Sequence, residues 1–234
     1  MIIAGLQKTT LIDYPSKLAC TVFLAGCNFR CPWCYSSELV LPLKIVKQPR
    51  ILENEFFDFL RGRKGKLEGV VICGGEPTIN KDLRQFTEKI KNLGYLVKLD
   101  TNGSNSQVLK DLVANKLIDY VAMDIKTSPD NSVYQDLMTE GVTIERIKES
   151  VEFLKKGNID FEFRTTVVNT VHTAEDFKKI AEWIGGPNVK YYLQNFRAEK
   201  TIDPEFEKIK PFPREFLENI AKEISPYFKI CQLR

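Results

Sequence analysis

Cys20-Thr21-Val22-Phe23-Leu24-Ala25-Gly26-Cys27-Asn28-Phe29-Arg30-Cys31-Pro32-Trp33-Cys34 carries an apolar run straight into a polar loop holding three cysteines. The stretch Leu18–Ala25 has strand length and the β-branched and aromatic content of a strand. The loop has the spacing C-x3-C-x2-C, close enough for three thiolates to share one metal centre. Three readings compete. A structural zinc wants a fourth protein ligand, yet Cys20, Cys73, Cys231 and the single histidine, His172, stand at no recognised zinc spacing. Three unrelated core cysteines do not suit a segment containing Arg30 and Pro32. An iron–sulfur cluster usually takes four cysteines. Three would leave one iron open to a substrate or cofactor, as catalytic metal sites keep an open position.

Outward from this loop, strand and helix patterns alternate. Further strands are expected at Gly69–Cys73, Tyr95–Leu99, Asp119–Met123, Asp160–Val167 and Val189–Leu193. Val70-Val71-Ile72-Cys73 is apolar throughout, as in a parallel sheet covered on both faces. Helical stripes fill the gaps. Asn80 is read as the cap of a helix bearing Leu83, Phe86 and Ile90 and ending at Gly94. Ser104 or Asn105 opens another, and Ile144, Ile147, Val151 and Leu154 line a third that stops at Gly157. Thr173 to Asp176 reads as a capping box. Glu53–Leu60 and Arg214–Ile224 complete the set. Six successive βα units imply a parallel sheet with right-handed crossovers, either doubly wound or an incomplete barrel. In both, ligands bind beyond the carboxyl ends of the strands.

The 234 residues suit a single domain, 1–234, and 43% hydrophobic residues supply its core. A net charge of +3 gives no case for nucleic acid. The basic run Arg61 to Lys66 reads as a solvated turn without an aromatic platform. No apolar run reaches the roughly 18 residues of a membrane span. Met1 to Thr10 lacks the pattern of a secretory signal. Cytoplasmic location is expected, where six cysteines remain thiols.

Each strand end carries polar or ligand-type residues. The second runs into Gly74-Gly75-Glu76-Pro77, where paired glycines permit close backbone approach. The third ends in Asp100-Thr101-Asn102-Gly103, which an Asn-Gly turn would explain. The fourth ends in Asp124-Ile125-Lys126, two charges pointing to one face. A plain surface ion pair would account for them as well. Arg164 in the fifth strand either pairs with Glu162 or another internal acid, or binds a carboxylate. After the sixth, Gln194 and Phe196 offer an amide and a ring to a nucleobase, or are an ordinary loop amide and core aromatic. Cys20, Cys73 and Cys231 read as packing residues, and His172 as a loop residue.

The cysteine spacing after the first strand of a six-fold βα chain resembles the radical S-adenosylmethionine (SAM) superfamily. That resemblance implies the incomplete (β/α)6 TIM-like barrel. It implies a [4Fe–4S] cluster on Cys27, Cys31 and Cys34, with SAM chelating the fourth iron. One-electron reduction of SAM would give a 5′-deoxyadenosyl radical. It further implies that Gly74, Gly75 and Glu76 bind the SAM amino group, Arg164 its carboxylate, and that Trp33 lies against adenine. Asp124 and Lys126 are similar to a pair beside the methionyl moiety in glycyl-radical-enzyme activases. By the same likeness a monovalent cation is expected near Asp100, Thr101 and Asp124.

Gly5-Leu6-Gln7-Lys8-Thr9-Thr10-Leu11-Ile12-Asp13-Tyr14-Pro15 is similar to the start of the activating proteins of anaerobic ribonucleoside-triphosphate reductase. Such a protein abstracts a glycine hydrogen from its partner and draws electrons from a flavodoxin or ferredoxin. The chain departs from these relatives at Ser16, where they usually have Gly, and at Tyr35-Ser36, where they often have His-Asn. An activase for another glycyl-radical enzyme of the pyruvate formate-lyase type, a small-molecule radical SAM enzyme, and a zinc-stabilised binding protein are the alternatives.

Overall fold

The computed structural model describes residues 1–234. Its strands are β1 (Ile3–Thr10), β2 (Ala19–Leu24), β3 (Gly69–Gly74), β4 (Leu96–Thr101), β5 (Tyr120–Asp124), β6 (Asp160–Val167), β7 (Gly186–Asn195) and β8 (Phe228–Leu233). Its helices are α1 (Ser37–Val40), α2 (Pro42–Ile45), α3 (Glu53–Gly62), α4 (Leu83–Asn92), α5 (Ser106–Ala114), α6 (Val133–Leu137), α7 (Ile144–Lys156), α8 (Ala174–Ile184) and α9 (Arg214–Ile224). The chain forms two compact units: Met1–Asn28, Ser36–Thr101 and Asn105–Val121; and Phe29–Tyr35, Asn102–Ser104 and Ala122–Arg234.

In the first unit β1 runs antiparallel to β2, and β2, β3 and β4 are parallel neighbours. Register places Thr21 beside Val71 and Val71 beside Lys98. Tyr14, Ala19, Val71 and Tyr120 form a buried cluster, with Cys73 and Leu96 packed against it. α3 and α4 meet through Phe56, Phe57 and Phe86, whose ring centroids lie 5.2–5.5 Å apart. Burying each such ring stabilises the fold by about 1.5–3 kcal/mol. Tyr95 is buried with its hydroxyl donating to the Leu60 carbonyl at 2.6 Å, so its one polar atom is satisfied.

In the second unit β6, β7 and β8 are parallel neighbours. α7, α8 and α9 each turn an apolar stripe inward, including Ile147, Val151 and Leu154, then Phe177 and Ile180, then Leu217 and Ile220. α8 opens with the expected capping box between Thr173 and Asp176. The last residue is latched: the Arg234 guanidinium reaches buried Glu162 at 3.0 and 3.3 Å and covers the Tyr192 ring at 3.4 Å.

The predicted strands are present within a few residues of their expected bounds, and β6 and α9 match them fully. Two strands escaped prediction. β1 is half exposed and carries Gln7, Lys8 and two threonines, so it lacks an apolar run. β8 mixes Lys229 and Gln232 into six residues. Asn80 is not the cap of α4; it closes the short 3-10 turn Pro77–Ile79, and Asp82 precedes the helix.

Ser16 has φ of 61°, in the left-handed region. Glycine would carry no penalty there, since it is the Cβ that is disfavoured in that conformation. Ser16→Gly is therefore expected to be at least as stable as the parent, whereas Ser16→Val should lose about 1–2 kcal/mol. Thermal unfolding of the two variants checks this, and equal midpoints would show that the site tolerates a branched side chain.

Candidate functional site

Beyond Leu24 the first part of the cysteine loop is fastened from three directions. Ala25 donates to Ile2 O at 3.0 Å, Gly26 donates to Leu39 O at 2.7 Å, and Gly26 O accepts from Glu76 N at 2.7 Å. Gly75 donates to Leu24 O at 2.9 Å. The Gly74-Gly75 turn thus lies directly against the root of Cys27. A Cβ on Gly75 would fall 1.9 Å from Gly26 O and 3.2 Å from Cys27 Cβ. Gly74 has φ of 125°, and a Cβ there would lie 2.2 Å from Leu24 O. No side chain fits either position.

Glu76 is buried. Its Oε1 accepts from Thr78 N at 3.0 Å, Thr78 Oγ1 at 2.6 Å and Thr101 Oγ1 at 2.8 Å. These bonds fix the carboxylate and join the end of β3 to the end of β4.

The rest of the cysteine loop belongs to the second unit. Arg30 N donates to Leu137 O at 2.8 Å, and Phe29 is buried and bridges to Met138. Cys34 N donates to Cys31 O at 3.0 Å, making a turn. Ile202 N donates to Cys34 O and Asp203 N to Pro32 O, each at 3.0 Å. Trp33 is buried, its ring 6.0 Å from that of Phe206. None of the six cysteines is in a disulfide. Burial pushes the Cys31 thiol up to about 11, although Lys126 pulls the other way.

Asp124, Lys126 and Arg164 form an ion network. Lys126 Nζ lies 3.1 Å from Asp124 Oδ2, and Arg164 Nε 3.1 Å from Asp124 Oδ1. Burial opposes ionisation of Asp124, but Lys126 and Arg164 outweigh it and hold the carboxyl down to about 2. Burial likewise opposes charge on Lys126, and Asp124, Cys31 and Cys34 overcome it to keep the ammonium protonated. The pair is therefore more than a solvated surface contact. Its backbone is also clamped. Lys126 N donates to Tyr134 Oη at 2.9 Å, and Lys126 O lies 2.8 Å from His172 Nε2. Val168 N donates to His172 Nδ1 at 3.1 Å, so Nε2 carries the proton and donates to Lys126 O. His172 is buried against Phe177 rather than a loose loop residue. Burial lowers its pKa and keeps it neutral.

The internal acid that Arg164 meets is Asp124, and Glu162 meets Arg234. Phe196 is a core aromatic, stacked on Tyr35 at 5.9 Å. Gln194 is half-buried on β7, beside Thr166 in register. Cys20 is fully buried, Cys73 packs on the Tyr14 cluster, and Cys231 lies in β8 beside Tyr191. The expected monovalent cation finds no support. Lys98 already pairs with Asp100, the Thr101 hydroxyl donates to Glu76, and Asp124 holds Lys126 and Arg164. Sequence reasoning missed Tyr134, His172 as a clamp, and Lys98. A lone lysine inside Leu96-Val97-Lys98-Leu99 was the available signal for the last.

A loop with the spacing C-x3-C-x2-C, its root at Cys27 braced by a Gly-Gly-Glu turn at the carboxyl end of a parallel strand, points to a class of metal-dependent radical enzymes. The chain belongs to the radical SAM superfamily, whose sequence profile matches residues 21–184. It is 35% identical over 219 residues to a Methanocaldococcus jannaschii protein provisionally named glycyl-radical enzyme activating enzyme MJ1227, covering 92% of this chain and 87% of that one. It is 37% identical to the 7-carboxy-7-deazaguanine synthase of Aquifex aeolicus over only 95 residues, 40% of this chain and 39% of that one. Among solved structures it is similar to Streptococcus suis SuiB bound to S-adenosylmethionine, with a TM-score of 0.66 and 15% identity. The match covers 91% of this chain and 51% of SuiB, so the chain spans about half of that protein's length. The fold is accordingly the incomplete α/β barrel of this superfamily.

Membership implies a [4Fe–4S] cluster and SAM. The donors suit such a group: three thiols spaced C-x3-C-x2-C on one loop, none of them in a disulfide. Each thiolate of a cubane binds a different iron, whereas a structural zinc gathers its ligands at one point. Gly75→Ala is expected to displace the Cys27 root and cut bound iron severely after anaerobic reconstitution, while Cys231→Ala keeps the parental iron content. Iron and sulfide analysis of both variants checks this; full iron in Gly75→Ala would show that the close approach does not govern the loop.

Proposed function

We propose that this protein is an activating enzyme for a glycyl-radical enzyme, and that its target is anaerobic ribonucleoside-triphosphate reductase. The observation that carries the reading is the near full-length likeness to the activase-named relative, at 35% identity. The resemblance of Gly5–Pro15 and of the cysteine loop to the reductase-activating proteins narrows the target. When bound, the cluster supplies one electron to SAM and so a 5′-deoxyadenosyl radical that takes a hydrogen atom from a glycine.

The chain's own residues bind and orient. Cys27, Cys31 and Cys34 would hold the cluster, one iron each. The Gly74-Gly75 backbone and Glu76 receive the SAM amino group at a turn where no side chain intrudes. Arg164 binds the carboxylate; its Nε is held by Asp124, which fixes the plane of a guanidinium that carries five N–H donors. Asp124 and Lys126 flank the methionyl moiety. Trp33 and Gln194 bound the adenine end. A flavodoxin or ferredoxin supplies the electron. No helix is long and apolar enough to cross a membrane.

Arg164→Ala is expected to weaken SAM binding about tenfold or more, as loss of a charged hydrogen-bond donor set would, without loss of iron. Equilibrium binding of SAM to the reconstituted variant checks this, and parental affinity would assign Arg164 to the Asp124 network alone. Cys27→Ala, Cys31→Ala and Cys34→Ala should each abolish reductive SAM cleavage. The target is tested by anaerobic incubation of the reduced enzyme and SAM with the reductase or with a pyruvate formate-lyase-type enzyme. Electron paramagnetic resonance should then show a glycyl doublet on the reductase only. A doublet on the other enzyme moves the target; SAM cleavage with neither favours a small-molecule substrate, the reading the shorter synthase matches support.

A further inference from the structure

An exposed apolar segment of the first unit lies beside the root of the cysteine loop. Gly26 N donates to Leu39 O at 2.7 Å, and Ile51 N donates to Ile3 O at 3.0 Å. Ile3 in turn stands opposite Leu24, the last residue of β2. Residues 39–51 are thus tied at both ends to the strand end that Cys27 follows, and Ile51 lies across β1 from β2. Leu39 and Val40 are buried, whereas α2 buries no residue. Leu43 and Val46 are 82% and 67% exposed, and their spacing of three puts them on one face of the turn. Leu52, at the entry to α3, is 58% exposed. Large apolar side chains gathered in this way mark a contact surface. The charges among them have one sign: Lys44, Lys47 and Arg50, with no Asp or Glu from Leu39 to Leu52. The carboxylates on either side are occupied. Glu38 accepts from Ser37 Oγ, Glu55 accepts from Leu52 N, and Glu53 pairs with Lys89. Leu11 and Ile12 are as exposed, but they follow Thr10, which pairs with Ala19 at the opposite end of β2.

We propose that residues 42–52 are the docking surface for the one-electron carrier, a small acidic protein that sets carboxylates against Lys44, Lys47 and Arg50 and apolar side chains on Leu43 and Val46. The inference rests on the reading that a carrier protein reduces the cluster, and it holds whichever substrate then gives up hydrogen. Charge complementarity selects an acidic partner and speeds its encounter. Position selects the carrier over the target. A hydrogen atom moves only between groups in contact, so a target must enter the site itself. An electron crosses intervening protein and needs only a surface near the cluster, which the flank of the Cys27 root supplies. The step balances simply: the carrier loses one electron, the cluster gains it, and no bond or proton moves.

The test uses the reconstituted holoenzyme and an acidic flavodoxin. Calorimetry should show oxidised flavodoxin binding the parent, with an affinity that falls about tenfold between about 50 and 300 mM salt. Leu43→Asp/Val46→Asp and Lys47→Glu/Arg50→Glu should each weaken that binding about tenfold or more. Ile12→Asp, at the other end of β2, should leave it unchanged. SAM cleavage is then driven in two ways with no target present. With limiting reduced flavodoxin both double variants should slow about tenfold. With dithionite they should stay within about twofold of the parent, as expected for exposed substitutions outside the site. Parental flavodoxin affinity in either double variant overturns the proposal. An equal loss with dithionite also overturns it, since the segment would then support the site rather than receive a partner. Normal flavodoxin binding with less glycyl radical on the target, dithionite supplying the electron, gives the surface to the target instead. Normal flavodoxin binding with loss of a dimer in sedimentation gives it to a second copy of this chain. A parent that cleaves no SAM with dithionite defeats the activase reading, and the binding measurement still decides the docking surface.

Discussion

The first unit's share of the site depends on one backbone contact: the carbonyl of Gly26 accepting the amide of Glu76 while Gly75 presses against both Gly26 and Cys27. Two loops that follow neighbouring strands are thereby zipped together without side chains between them. The contact turns two ordinary βα turns into one rigid surface, with a sulfur on one side and a buried carboxylate on the other. Glu76 carries the restraint onward through Thr101 to β4. Each link is short and satisfied, so a small shift at the glycine pair would reach every one of them. Backbone strain tolerated by glycine is here converted into placement of functional groups.

The second unit reaches the same end by different means. There the fixed element is the peptide of Lys126, gripped at its N–H by Tyr134 and at its carbonyl by His172. The charges on either side, Asp124 and Arg164, then have little freedom. A partly buried ion network is costly to assemble and is justified where geometry matters more than net stabilisation. The histidine serves here without titrating, since burial keeps its ring neutral and its proton is committed to a carbonyl.

Much of this was legible in the chain itself. Parallel strands announce themselves because both faces are covered, and each was followed by polar residues where ligands bind. The cysteine spacing marked the loop, and the paired glycines marked the close approach. What stayed hidden has physical reasons. β1 is an edge strand whose Gln7, Lys8 and Thr9 are exposed in a row, so its sequence does not separate from a loop. Arg164 and Glu162 are two apart on one strand and invited pairing, but nothing local shows that Arg234, seventy residues downstream, meets Glu162. His172 looked like a loop residue because nothing in the local sequence reveals that Lys126 lies against it. Long-range partners of single polar groups are the information that periodicity does not carry.

The turn between Cys31 and Cys34 has a consequence for how the protein would lose its metal. Its two carbonyls are held by the amides of Ile202 and Asp203, and Trp33 shares an apolar seat with Phe206. The stretch after β7 is therefore a splint on the cysteine turn. Damage to the cluster would not stay at the sulfurs; it would slacken the splint, and the amide protons of Ile202 and Asp203 would begin to exchange with solvent. Oxygen sensitivity in such a protein is in part a matter of local folding stability, and strengthening the splint is a route to slower metal loss that leaves every ligand unchanged.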